Sequence, residues 1–169
     1  MSKRLFLIIL LLPLLSGLAA CGSDSDDESS SSETTEATSG DEAECTTDGA
    51  TDAGADSSID AALGEWYVTI EPTEVPAGVV SIVADNQSES SQVHELVVVE
   101  ADGIDSLEVD GTTVSEEALG DTVVGEIAEF AAGQTCDANF ELAAGSYVLF
   151  CNLPDHFAQG MAAELTVAG

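Results

Sequence analysis

The chain has 169 residues, of which 33 are Asp or Glu and only two, Lys3 and Arg4, are basic, giving a formal net charge of −31. With no basic patch to offer, it cannot recognise nucleic acid through phosphate neutralisation. A cationic partner, or a salt-rich medium that screens the self-repulsion, is implied instead, and the spread of acids along the chain favours adaptation to salt.

Lys3 and Arg4 precede LFLIILLLPLLSGLAA, which gives residues 1–20 the form of a secretory signal peptide. The alternative is an uncleaved membrane helix, for which the apolar run is short against the roughly 20 residues a span needs. Leu18-Ala19-Ala20-Cys21 resembles a bacterial lipobox. That resemblance implies a lipid anchor on Cys21, at the extracytoplasmic face of the cell membrane. Residues 21–60 are acidic, rich in Ser and Thr and nearly free of large apolar side chains. Such a segment buries too little to offset its ordering entropy, and it is expected to be an extended, disordered tether.

Residues 61–169 suit one domain. Residues 65–71 alternate and predict a first strand, with Trp66, Val68 and Ile70 on one face. Pro72, Pro76 and Gly78 bracket a turn, residues 79–84 form a second strand, and residues 93–100 form a third with His94 near its start. Residues 102–120 are harder to read, apart from one helical turn after a Ser115 cap. Residues 123–130, 136–142 and 146–151 predict further strands, and residues 162–167 a last one. Many short strands with turn signals and little helix favour an all-β sandwich.

The segment GSYVLFCNLPDHFAQGM (residues 145–161) carries the chemistry. The strand YVLF delivers Cys151 at its tip, Pro154 stiffens the turn to His156, and Gly160 lets the chain bend back to Met161. His94 and His156 are the only histidines, and Met161 is the only methionine besides the initiator. One distant imidazole with a thiolate, an imidazole and a thioether from one loop is the ligand set of a mononuclear blue-copper site. The alternatives are a buried core cysteine with incidental neighbours, a zinc site, which a thioether suits poorly, and a catalytic Cys–His pair, which leaves His94 and Met161 without roles.

Over roughly residues 64–169 the sequence resembles the cupredoxins, the plastocyanin/azurin-like blue-copper proteins, through EWYVTIEPTEVPAGVVSIVADN, HELVVV and LAAGSYVLFCNLPDHFAQGMAAELTV. The C-x4-H-x4-M loop looks like that of rusticyanin and auracyanin. The resemblance implies a Greek-key β-sandwich holding one type 1 copper, with His94, Cys151 and His156 as equatorial ligands and Met161 as a weak axial one. Related loops usually have Gly before the second His; this one has Asp155, which tolerates a left-handed turn at modest cost. With Cys21 given to lipid and Cys151 to copper, Cys45 and Cys136 remain as a possible disulfide in an oxidising exterior, or as two free thiols.

The expected function is single-electron transfer rather than enzymatic catalysis, since a multicopper enzyme needs more histidines than the chain has. The alternative is an extracytoplasmic copper buffer, or a carrier of copper for metalloenzyme assembly. Asn152 and nearby amides are expected to hydrogen-bond the Cys151 sulfur. His156, flanked by Leu153, Phe157 and Ala158, is the expected electron port. The expected partner is a redox protein with a basic docking surface, a cytochrome or oxidase domain, met by a monomer of this chain.

Overall fold

The computed structural model describes residues 45–169; the expected signal peptide (residues 1–20), the lipidation site Cys21 and residues 21–44 of the expected tether lie outside the described residues. Among the described residues, no helix is long and apolar enough to cross a membrane.

Two sheets enclose the main core. The smaller contains β2 (Ser57–Gly64), β3 (Tyr67–Glu71), β5 (Gly78–Asn86) and β10 (Thr135–Leu142), in the order β10-β5-β2-β3. Its strands alternate as half-buried strands should. Ile59, Ala61 and Leu63 of β2, Val80, Ile82 and Ala84 of β5, and Cys136, Ala138, Phe140 and Leu142 of β10 all face inward. The larger sheet contains β1 (Thr47–Asp48), β4 (Glu74–Pro76), β6 (His94–Glu100), β9 (Val123–Phe130), β11 (Gly145–Phe150) and β12 (Ala162–Ala168), in the order β1-β9-β6-β11-β12-β4. The non-sequential order of this sheet belongs to a Greek-key β-sandwich.

The two central strands of the larger sheet are apolar on both faces, and the excursion after β6 supplies the reason. Leu96 and Val98 of β6, with Tyr147 and Leu149 of β11, point into the sandwich. Val97, Val99, Val148 and Phe150 point the other way, into a second core. That core is covered by Ala101, Ile104 and Leu107, by Val114 of the hairpin β7 (Val109–Asp110) and β8 (Thr113–Val114), and by Leu119 of the single helical turn α1 (Glu116–Leu119). The Ser115 hydroxyl caps α1 by accepting from the Ala118 amide. The stretch that sequence pattern reads least well is thus the lid on the outer face of β6 and β11.

Two expectations are corrected. The tether does not run to residue 60, because residues 45–60 belong to the domain. β2 lies between β3 and β5, antiparallel to its neighbour in sequence β3 and parallel to β5, where Ser57 pairs with Val80 and Leu63 with Asn86. Ahead of it, a strap runs across the sandwich. Cys45 forms a disulfide with Cys136, Thr47 and Asp48 pair with Ile127 and Glu126, and the Thr51 amide donates to the Asn139 carbonyl at 2.8 Å. Gly125 has no room for a side chain, since a Cβ there would lie 2.4 Å from the Asp48 carbonyl oxygen and 2.6 Å from the Phe140 ring. Trp66 is also not a core-facing strand residue. It sits in the two-residue connection between Gly64 and Tyr67 with φ 68° and is 40% exposed.

Candidate metal centre

Strand pairing brings the predicted residues together. β6 and β11 are antiparallel, with Val97 opposite Phe150, so the start of β6 and the end of β11 meet at one end of the sheet. His94 opens β6; Cys151 follows β11 directly. The loop from Cys151 to Met161 is closed at its base by the Cys151 amide donating to the Met161 carbonyl at 3.1 Å. Inside the loop the His156 amide donates to the Leu153 carbonyl and the Met161 amide to the His156 carbonyl. Asp155 takes φ 71°, the left-handed turn that Gly would ordinarily supply.

His94 and Cys151 are fully buried, and His156 is 9% exposed. The ligating atoms of the three lie within 4.8 Å of one another. The Cys151 sulfur is 3.3 Å from His156 Nδ1 and 3.8 Å from His94 Nδ1, and the two Nδ1 atoms are 3.2 Å apart. His94 Nε2 meets the Ser88 hydroxyl at 2.7 Å. A proton on Nε2, donated to that hydroxyl, leaves Nδ1 as a bare lone pair facing the cluster. Met161 is also fully buried; its carbonyl and amide tie it to Cys151 and His156.

Burial sets the electrostatics. It lowers the affinity of His94 for a proton, aided by His156 and opposed by Glu65, and it likewise lowers that of His156. Both imidazoles are therefore biased toward the neutral, ligating form. Burial pushes the Cys151 thiol up to about 11, with Glu95 and Glu129 adding to the rise and the backbone amides of Glu95 and Leu153 opposing it. Two lone pairs and a thiol crowded into a dry site repel unless they share a proton or a cation. A metal ion answers all three and converts the thiol to thiolate. Two imidazoles and one thiolate suit copper, and an all-protein closed zinc site would prefer more sulfur.

A shell of hydrogen bonds fixes this arrangement. Asn86 is fully buried; its side chain donates to the Gln92 and Phe130 carbonyls and accepts from the Ser88 amide, which seats the loop carrying Ser88. The Asn152 amide donates to Glu95 Oε1 at 3.0 Å. The Asn152 side chain exchanges two hydrogen bonds with the backbone of Val114. The expected bond from Asn152 to the Cys151 sulfur is therefore corrected: its side chain ties the ligand loop to β8, and the amides facing the sulfur are those of Glu95 and Leu153. Phe157 packs edge-on to Phe150 against the second core, with ring centroids 5.5 Å apart.

Sequence reasoning missed Trp66, which lies edge-on to His156 with centroids 5.6 Å apart and planes at 85°. It also missed Glu65, whose carboxylate is held down to about 2, first by the Ser90 hydroxyl and then by backbone amides. The alternation of Ile59, Ala61 and Leu63 would have placed residues 65 and 66 in a turn, had the domain been read as starting before residue 61.

A Greek-key sandwich that buries two imidazoles and a thiol at the end of adjacent strands is a cupredoxin. The chain belongs to the plastocyanin/azurin family of copper-binding proteins, which matches it over residues 57–168, and its cofactor is copper. Among solved structures, its fold is similar to that of auracyanin B, with TM-score 0.53 and 20% identity over 71% of this chain and 94% of that one. It is also similar to the dithionite-reduced auracyanin of the photosynthetic bacterium Roseiflexus castenholzii, with TM-score 0.50 and 25% identity over 69% of this chain and 100% of that one. Rusticyanin from Thiobacillus ferrooxidans gives TM-score 0.50 and 14% identity over 71% and 86%. No curated protein sequence matches the chain.

Proposed function

We propose that this protein carries single electrons between redox partners outside the cytoplasmic membrane, to which lipid on Cys21 and an acidic tether of residues 21–44 would hold it. His94 and His156, each through Nδ1, and Cys151 would hold the copper, with Met161 as a weaker fourth donor. The observation that carries the reading is the buried convergence of those two nitrogens and one sulfur within 4.8 Å.

Copper held there would supply a one-electron couple between its singly and doubly charged states. The chain's own part is to keep the donors still. His94 is tethered by Ser88, the loop base is closed between Cys151 and Met161, and the loop is fastened to β8 through Asn152. Thr112 adds a further tie by accepting from the Asp155 amide at 3.1 Å. Donors that do not move on a change of charge keep reorganisation small. His156 lies nearest the surface of the three and is assigned as the exit for the electron, toward a cytochrome or oxidase domain with a basic face.

The test is an optical and spin-resonance spectrum of the full-length chain after copper(II) addition, followed by reduction and reoxidation. An intense thiolate-to-copper band with narrow hyperfine splitting that cycles cleanly is expected. A colourless protein, or one that binds only copper(I) and surrenders it readily, would overturn electron transfer in favour of copper storage or delivery.

A further inference from the structure

One hairpin tip touches His156 and holds the segment that touches His94. β2 and β3 pair as far as Gly64 and Tyr67, leaving Glu65 and Trp66 as a two-residue loop. Trp66 has φ 68°, a left-handed conformation that Gly or Asn adopts readily and that costs a bulky side chain free energy. Strain of this kind persists where surrounding contacts over-determine it, and it gathers at functional sites. Here the indole stands edge-on to His156. The preceding residue serves the other histidine. Glu65 Oε1 accepts from the Ser90 amide at 2.9 Å and from the Ser90 hydroxyl at 2.5 Å. The Gln87 amide donates to the Leu63 carbonyl at 2.7 Å, and the Tyr67 hydroxyl meets Gln87 Oε1 at 3.3 Å. The hairpin thus grips residues 87–90, the segment from which Ser88 reaches His94 Nε2.

We propose that the Glu65–Trp66 hairpin tip is the positioning element of the metal centre, with Trp66 fixing the ring of His156 and Glu65 fixing that of His94 through Ser90 and Ser88. This rests on the reading of His94, Cys151 and His156 as copper ligands. Neither residue touches the metal; each acts through a ligand. Partners that orient ligating histidines govern metal affinity and ring orientation. The two arms are separable, because they end on different imidazoles.

Four variants of the full-length chain test this: Trp66→Gly, which removes the indole at a backbone angle glycine favours, Trp66→Phe, Glu65→Ala, and Glu65→Gln, which keeps an acceptor for Ser90. Copper(II) affinity is measured against a competing chelator, and the ring nitrogen resonances of both histidines are recorded in the metal-free chain. Trp66→Gly should weaken copper binding about tenfold or more and move the His156 resonances, with Phe restoring most of both. Glu65→Ala should do the same through the His94 resonances, with Gln restoring it. Unchanged affinity and resonances in Trp66→Gly and Glu65→Ala would overturn the proposal. So would equal movement of both rings in each variant together with a matching drop in unfolding temperature, the mark of general loosening. A wild-type chain that takes up no copper would overturn the ligand assignment, while the metal-free resonances would still decide the positioning role.

Discussion

The amide of Cys151 donates to the carbonyl of Met161 at 3.1 Å, so the ladder between β11 and β12, which ends at Phe150 opposite Ala162, is extended by one bond at the base of the ligand loop. Nine residues lie between Cys151 and Met161 in sequence, yet their backbones are hydrogen-bonded. The loop between them is an outgrowth of a rigid hairpin, and this gives sharp consequences to single changes within it.

Gly160 turns the chain back toward Met161 with φ 105°. A Cβ there would meet nothing closer than the Trp66 carbonyl oxygen at 3.8 Å, so the penalty for Gly160→Ala is conformational, not steric. The expected cost is about 1 kcal/mol or more. Urea unfolding of the metal-free chain should show a lower midpoint at unchanged slope, and the copper spectrum should shift because Met161 is displaced.

Glu95 lies partly buried beside the centre, near Glu116, Glu126 and Glu129. Burial first, and those carboxylates after it, raise its proton affinity, while the Asn152 amide opposes the rise. A carboxyl whose folded value is raised costs stability as pH climbs from its unfolded value through the folded one. Glu95→Gln keeps an acceptor for the Asn152 amide and removes the charge. It should flatten that pH-dependent loss in thermal scans, and it should raise the copper reduction potential in voltammetry, because one negative charge near the doubly charged ion is gone. An unchanged pH profile would show that Glu95 binds its proton equally well in the folded and unfolded chain, and so is not raised by folding.

The disulfide between Cys45 and Cys136 spans 91 residues of sequence and anchors the strap on which β1 lies. Replacing both cysteines by Ser should cost roughly 2–4 kcal/mol, the usual contribution of a native crosslink. Chemical denaturation of the double variant measures it, and amide exchange should rise first over residues 45–56.

Among the described residues there is no Lys or Arg, so no carboxylate is neutralised by one within the domain. Screening should therefore stabilise it. The unfolding temperature is expected to climb with potassium chloride between 10 mM and 1 M, at roughly 4 °C for each kcal/mol of repulsion removed. The climb should saturate once the screening length falls to a few ångströms. A temperature independent of salt would mean that the carboxylates are spaced too far apart to matter.

Sequence alone determined the chemistry. Metal ligands are rare residue types with fixed donor atoms, so the only two histidines, one of the four cysteines and the one methionine besides the initiator could be singled out as candidates without coordinates. The strands β9, β10, β11 and β12 were legible within a residue or two, because half-buried or fully buried strands write their environment into local alternation or apolar runs. Tertiary structure decided what depends on contacts distant in sequence. Residues 57–60 of β2 read as tether, because polar Ser57, Ser58 and Asp60 interleave the buried residues and the parallel partner lies elsewhere in the chain. The 102–120 excursion carries no strong period because it is a cover, held by the outer faces of β6 and β11. Trp66 and Glu65 acquire meaning only from the fold. An exposed indole and a surface carboxylate are unremarkable in a string of letters, and the sandwich is what sets one against His156 and ties the other, through two serines, toward His94.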